Sequence, residues 1–274
     1  MASILYRNGV IHSPADPFAE ALLVEDGVVA WLGAEDSASS FVSRAETIVD
    51  LDGALVTPAF VDAHVHLLST GMALEGLDLS LEADVATATS AFAAVANRVR
   101  DLRRGEAQSR GPLVGWGCDT SAWPDAVRAT RSALDGAAEG APVVLVRPDL
   151  HSSLASTAVC ERLGLDRRAG WDDEGWLTGD AHESVMAELR ADADARHREL
   201  TDLALQLAAS RGIVSVHEHS LPSTDTRAGL ADLIARTRTA DSGLPLVVGY
   251  RGELCETTDD VHELLTAVPG LTGV

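Results

Sequence analysis

Two histidines, His64 and His66, stand one residue apart in the apolar stretch Thr57-Pro58-Ala59-Phe60-Val61-Asp62-Ala63-His64-Val65-His66-Leu67. Alternate side chains of a strand point to one face, so both imidazoles look the same way from Cα atoms roughly 6.5 to 7 Å apart. From that separation each ring can reach a common metal ion at about 2.0 to 2.1 Å, the usual nitrogen-to-zinc distance. Asp62 falls on the same face one step deeper, where a carboxylate could orient a ligand or pack beside one. The plain alternative is a chance pair of surface histidines. Against it stands the position of the pair, at the end of an apolar strand and before a loop, where barrel folds carry their chemistry.

Two further sets could act on a substrate. Arg147, Asp149 and His151 alternate after the apolar run Pro142-Val143-Val144-Leu145-Val146, so a continuing strand would put all three on one face. Ordinary polar contacts at a strand end are the bland reading. His217-Glu218-His219 ends the run Ile213-Val214-Ser215-Val216, and His217 and His219 share a face, which makes them a second possible metal pair. His12, His182, His197 and His262 fall in a turn or on predicted helices and read as solvated or packed.

Strands and helices must position these groups. Residues 1 to 57 read as short strands and turns, with Asn8-Gly9, Asp26-Gly27 and Asp52-Gly53 as turn signals, which predicts a meander of antiparallel hairpins. The apolar residues Val85, Ala88, Phe92, Val95, Val99 and Leu102 recur at helical spacing, predicting an amphipathic helix over 82–104 used for packing. A polar loop over 103–111 follows, then the strand Pro112-Leu113-Val114-Gly115-Trp116 and a helix over 125–138. Asp180-Ala181-His182-Glu183 resembles a capping box that opens one long helix to about residue 210. Strands near 213 and 244–250 alternate with helices over 225–239 and 258–267, and Leu271-Thr272-Gly273-Val274 reads as the opening of one more strand. This alternation predicts an α/β fold, and a partial (β/α) barrel fits better than a doubly wound sheet. No G-x-G-x-x-G follows the first strand; Gly115-Trp116-Gly117 is a weak phosphate loop.

The motifs carry a resemblance. Pro58-Ala59-Phe60-Val61-Asp62-Ala63-His64-Val65-His66 resembles the first-strand metal motif P-G-x-x-D-x-H-x-H of the amidohydrolase superfamily, with Ala59 in the place of its Gly. Gly115-Trp116-Gly117-Cys118-Asp119, Trp123-Pro124 and Arg147-x-Asp149-x-His151 resemble the YtcJ-like, or amidohydrolase-3, group. That group usually has Gly before the His and Asn five residues after it, where this chain has Leu150 and Ser156. Gly212 to Glu218 is similar to its G-x-T-S-V-x-D strand.

The resemblance implies a TIM-type barrel over 58–274, preceded by half of a small β-sandwich over 1–57. It also implies an insertion over about 112–180, so that the strands at 213 and 245 would be the second and third of the barrel. It implies a divalent metal, zinc first, on His64 and His66; Asp62 and His151 in catalysis; and Trp116, Asp119, Arg147, Asp149, His217 and Glu218 around a small-molecule substrate. The expected reaction is hydrolysis of a C–N bond in an amide, formamide or cyclic amide. The superfamily's remaining ligands would then lie beyond Val274, so the expectation is an N-terminal portion with little activity alone. Two other readings stay open: a non-catalytic scaffold relative without the metal set, and a phosphoesterase using His64, His66, His217 and His219.

Composition narrows the class. The 274 residues can bury a large core. They carry 42 acidic against 21 basic residues, a formal net charge of −21 that argues against nucleic acid or an anionic membrane as partner. All 21 basic residues are Arg, so the carboxylated lysine that bridges two metals in many amidohydrolases has no source in this chain. Three widely spaced cysteines, an odd number, argue against a disulfide framework, and no leader pattern or membrane-length apolar run is present, which makes a cytoplasmic location the expectation. A homodimer is left open.

Overall fold

The computed structural model of the chain describes residues 2–80, 83–105, 111–123, 128–239 and 242–274. Glu82 of the first predicted helix, Pro124, positions 125–127 of the next helix and 106–110 of the polar loop lie outside the described residues. The chain divides into two compact units, Met1–Phe60 and Val61–Val274.

The first unit contains β1 (Ser3–Arg7), β2 (Val10–Ile11), β3 (Ala21–Glu25), β4 (Val28–Gly33), the one-turn helix α1 (Glu35–Ala38), β5 (Thr47–Asp50) and β6 (Leu55–Val56). The meander reading needs correction. Only β3 and β4 form a hairpin, turning at Asp26 and Gly27, both in the left-handed region. β1 lies between antiparallel β3 and parallel β5, while β2 pairs in parallel with β6. The turn at Asn8 leads β2 away from β1 instead of pairing them. Its side-chain amide donates to Asp50 and its backbone N–H to Glu35, both at 2.8 Å. Period-two alternation explains the result: Leu5 and Leu23 face one apolar cluster with Ala38, and Tyr6, Leu22 and Val24 face another with Ile11 and Val56.

The second unit opens with β7 (Phe60–Val65) and runs through α2 (Leu67–Glu75), β8 (Leu77–Asp78), α3 (Ala88–Arg104), β9 (Leu113–Trp116), α4 (Arg131–Ala138), β10 (Val143–Val146) and β11 (Ser153–Ala155). It continues with α5 (Thr157–Leu163), β12 (Trp176–Leu177), α6 (Gly179–Ala195), α7 (His197–Ser210), β13 (Ile213–Ser220), α8 (Arg227–Thr237), β14 (Leu246–Arg251) and α9 (Thr258–Ala267). This is an α/β fold with two sheets. One has the order β12-β11-β10-β9-β8, the other β14-β13-β7. In the second, β13 and β14 are parallel, and Tyr250 makes one further parallel bridge to Gly273. Among the described residues the strands close no barrel, and no helix is long and apolar enough to cross a membrane.

Burial sets the two faces of the β14-β13-β7 sheet apart. Val216 and Val247 are buried with Leu205 of α7, Leu230, Leu233 and Ile234 of α8, and Leu264 of α9. A fully buried leucine contributes about 1.5–3 kcal/mol relative to an exposed one, so this helix-covered face anchors the sheet. Close approach demands glycine at Gly71 of α2, where a Cβ would run into the Leu200 backbone carbonyl of α7, whereas one on Gly249 would meet the movable tip of the Ile234 side chain of α8. On the opposite face, Phe60 stays 63% and Leu246 41% exposed.

Four helix expectations change. α4 begins at Arg131, capped by Thr130, so residues 128–130 lie before the helix and not in it. α3 begins at Ala88 because Thr87 and Ser90 cap it reciprocally. α6 begins after Thr178, with Asp180 in its first turn, where the helix dipole favours a carboxylate, not at the cap. The long helix breaks at Arg196, whose backbone leaves helical geometry while its guanidinium gathers Glu75, Asp192 and Glu199 from three directions.

Candidate active site

His64 sits on β7 and His66 is the residue that caps α2, so the chain turns from strand to helix right at the pair. The spacing does bring the two rings together: their centroids are 5.3 Å apart, edge to face at 87°. Asp62 accepts the backbone N–H of His64 at 3.1 Å, which ties its carboxylate to the strand that carries the pair.

His64 also stacks on His219 of β13, with centroids 4.1 Å apart and planes 9° from parallel. His219 in turn stacks on Tyr250 of β14 at 4.8 Å, its cross-strand partner in register, and His217 lies 5.6 Å from the same ring. Four rings thus line the helix-free face of the sheet. The ring Nε2 of His219 lies 3.3 Å from the Ala63 carbonyl oxygen. A second metal pair on His217 and His219, and with it the four-histidine arrangement, finds no support in this geometry. Among the described residues no group of three or more His, Cys, Asp or Glu side chains is placed to hold a metal ion.

Glu218 occupies the other face. It is 2% exposed, and its Oε2 accepts the Leu67 N–H at the start of α2 at 2.6 Å. Its Oε1 lies 4.0 Å from His66 Nδ1, a buried nitrogen with no hydrogen-bond partner. Burial pushes the Glu218 carboxyl up to about 8, opposed by the Leu67 N–H. Burial first, and neighbouring His64 second, push His66 down from its ordinary value, opposed by the His219 backbone carbonyl. At 4.0 Å the approach is longer than a hydrogen bond, so the two groups are neighbours without one.

The donor set fits a metal in part. His64 and His66 offer two imidazoles from the same turn. Two donors leave a tetrahedral site half built.

The other predicted residues gather in the five-stranded sheet. Arg147, Asp149 and His151 do not continue a strand: β10 ends at Val146, and 147–150 form a turn closed by the Leu150 N–H to the Arg147 carbonyl, with Leu150 in the left-handed region. Pro148 lacks an N–H for a ladder, and the turn delivers the chain to antiparallel β11, so strand alternation does not apply. Arg147 Nη1 lies 3.5 Å from Thr120 Oγ1, and its Nε 3.9 Å from Asp149. Asp149 accepts the backbone N–H of exposed His151. Asp119, held below the usual carboxylate range by Ser121, caps the neighbouring turn. Trp116 donates its indole N–H to the Met72 carbonyl and lines a cavity of about 60 Å³ with Met72, Glu75, Arg98 and Arg196, a cavity with no histidine in its wall. Among the described residues no hydrogen bond, ion pair or ring contact joins this group to His64 or His66. Ser156 is buried, bonded to Val143 and Ala141. His182 is a packed histidine satisfied by Ser153 and the Leu150 carbonyl.

Tyr250 is the ring that sequence reasoning missed. The signal was there: Val248 and Tyr250 alternate on the last strand as His217 and His219 do on the one before.

A sequence model of the Amidohydrolase family matches residues 47–269. YtcJ of Bacillus subtilis is 29% identical over 164 residues, 60% of this chain and 30% of that protein. N-substituted formamide deformylase of Arthrobacter pascens is 26% identical over 147 residues, 54% of this chain and 26% of that protein. Among solved structures, a metal-dependent hydrolase from Pyrococcus horikoshii superposes with a TM-score of 0.66 at 22% identity, covering 97% of this chain and 51% of that one, so the fold is shared. The chain spans less than a third of the length of either of these two sequence relatives.

Proposed function

This chain belongs to the amidohydrolase family, and from that premise we propose that it supplies one half of a metal-dependent site hydrolysing C–N bonds of amides, formamides or cyclic amides. The observation that carries the reading is the meeting of His64 and His66 at the strand-to-helix turn. A formamide is among the candidate substrates because one relative is named a formamide deformylase. In this reading β7, β13 and β14 are the first three strands of a (β/α) barrel, and the bridge of Tyr250 to Gly273 begins a fourth.

His64 and His66 would hold a divalent ion, zinc first. When bound, such an ion polarises the scissile carbonyl and makes water more acidic. Asp62 steadies the strand beneath the pair. His217 lines the open face, and the group around Trp116, Asp119, Arg147, Asp149 and His151 is proposed to meet the substrate, with His151 as the exposed group able to move a proton. Two imidazoles alone bind a metal weakly, so the 274-residue chain is expected to turn over little by itself. The test is an assay of formamides, cyclic amides and phosphate esters with added zinc. Trace C–N hydrolysis abolished by a chelator and by His64→Ala agrees. Phosphate-ester turnover with none on amides contradicts it.

A second reading is favoured by the lack of a three-ligand group among the described residues: a scaffold relative that binds no metal. It requires zinc uptake indistinguishable from that of His64→Ala.

A further inference from the structure

The helix side of the His66 ring faces Glu218, and the ring nitrogen on that side is buried without a partner. Glu218 is 2% exposed, and one of its oxygens is already taken by the Leu67 N–H. The other, Oε1, lies 4.0 Å from His66 Nδ1, and that nitrogen is buried without a hydrogen-bond partner. A buried ring nitrogen needs either a donor or an acceptor. Glu218 is the polar side chain placed to supply one.

We propose that Glu218 is a positioning residue: its Oε1 accepts the Nδ1–H of His66, which fixes the ring's tautomer and leaves Nε2 as the lone pair available to a metal. The inference rests on the metal-site reading for its purpose but not for its geometry. Ligand histidines commonly hand their other N–H to a carboxylate, and loss of that partner weakens metal affinity about 10–100-fold. Hydrogen bonds of this kind are often long before the site is loaded. Because Leu67 belongs to α2 and His66 caps it, one carboxylate thereby fixes both the helix start and the ring beside it.

A purely structural role, capping α2, makes a different claim about Glu218→Gln. The single amide oxygen of glutamine must stay on the Leu67 N–H, so its NH₂ turns toward His66 Nδ1. An NH₂ demands an acceptor there, and the ring proton moves to Nε2. The cap survives and the tautomer inverts.

The experiment is ¹⁵N-histidine NMR of the metal-free chain at about pH 9, where an ordinary imidazole is neutral and carboxyls are ionised. The His66 signals are assigned by their loss in His66→Ala. The proposal expects the Nδ1–H tautomer in the wild type, the Nε2–H tautomer in Glu218→Gln, and cobalt(II) affinity about 10–100-fold weaker in that variant. An Nε2–H tautomer in the wild type overturns it, as does a Glu218→Gln spectrum with the wild-type tautomer. If Glu218→Gln does not fold, the wild-type spectrum alone decides. A wild type that shows the Nδ1–H tautomer but binds no cobalt(II) contradicts the metal reading and leaves the contact between Glu218 and His66 standing.

Discussion

At the level of single residues, burial decides which groups are available. The Cys118 thiol is buried and pushed up to about 12 by desolvation, and Cys160 is pushed up by the same cause, while Cys255 is half-buried. Thiolate is the reactive form, so maleimide at neutral pH is expected to label Cys255 alone in the native chain and all three cysteines in denaturant. Fast native labelling of Cys118 would contradict the packing described here. Glu253 shows the opposite shift: Arg227 first and Arg251 second hold its carboxyl at about 2, against an ordinary 4.5. A depressed carboxyl stabilises the fold above its unfolded value and loses that contribution as pH falls through the folded one. Stability from this group is therefore full above 4.5 and fades toward 2, and Glu253→Gln is expected to flatten that part of the acid unfolding curve. The His64 and His66 pair was legible in the sequence because period-two spacing is a local property. Which face of the next strand helices would cover was not legible, so Glu218, grouped by sequence with substrate contacts, turns out to lie beneath the sheet.

Among the elements, close packing of backbones carries much of the specificity. Gly71 brings α2 against α7, and a methyl there meets the Leu200 carbonyl, which cannot swing aside as a side chain can. Gly71→Ala is expected to cost roughly 1–3 kcal/mol, by denaturant titration, and to shift the α2 start that carries His66. A neutral effect would mean the two helices are not in contact as described. Most helices were legible from their apolar stripes, and α9 falls on its predicted span, capped by Thr257 and Asp260. The break at Arg196 was not legible, because the carboxylates that gather there include Glu75, about 120 positions away in sequence. The exit from β10 was misread for a local reason: alternation was extended across Pro148 into a turn. In the first unit the turns were legible but the partners of β1 were not, since pairing with β5 depends on which strand covers which apolar face.

For the molecule as a whole, the net charge of −21 means unpaired carboxylates repel one another across the surface. Exposed ion pairs such as Arg44 with Glu25 contribute little, so screening the repulsion outweighs weakening the pairs. The thermal midpoint is expected to rise as sodium chloride goes from about 0.01 to 0.15 M, where the Debye length shrinks from about 30 to 8 Å. A falling midpoint would mean that ion pairs dominate. The α/β class was legible from alternating elements. The separate sheet built by β8 to β12 follows from the long segment between β7 and β13, which composition alone could not divide. The central claim is that His64 and His66 form half of a metal site, and zinc titration by calorimetry tests it most directly. The expected result is about one equivalent of weakly bound zinc, lost in both His64→Ala and His66→Ala and retained in His217→Ala. Zinc binding unchanged by either of the first two substitutions, or no binding by the wild type, would contradict it.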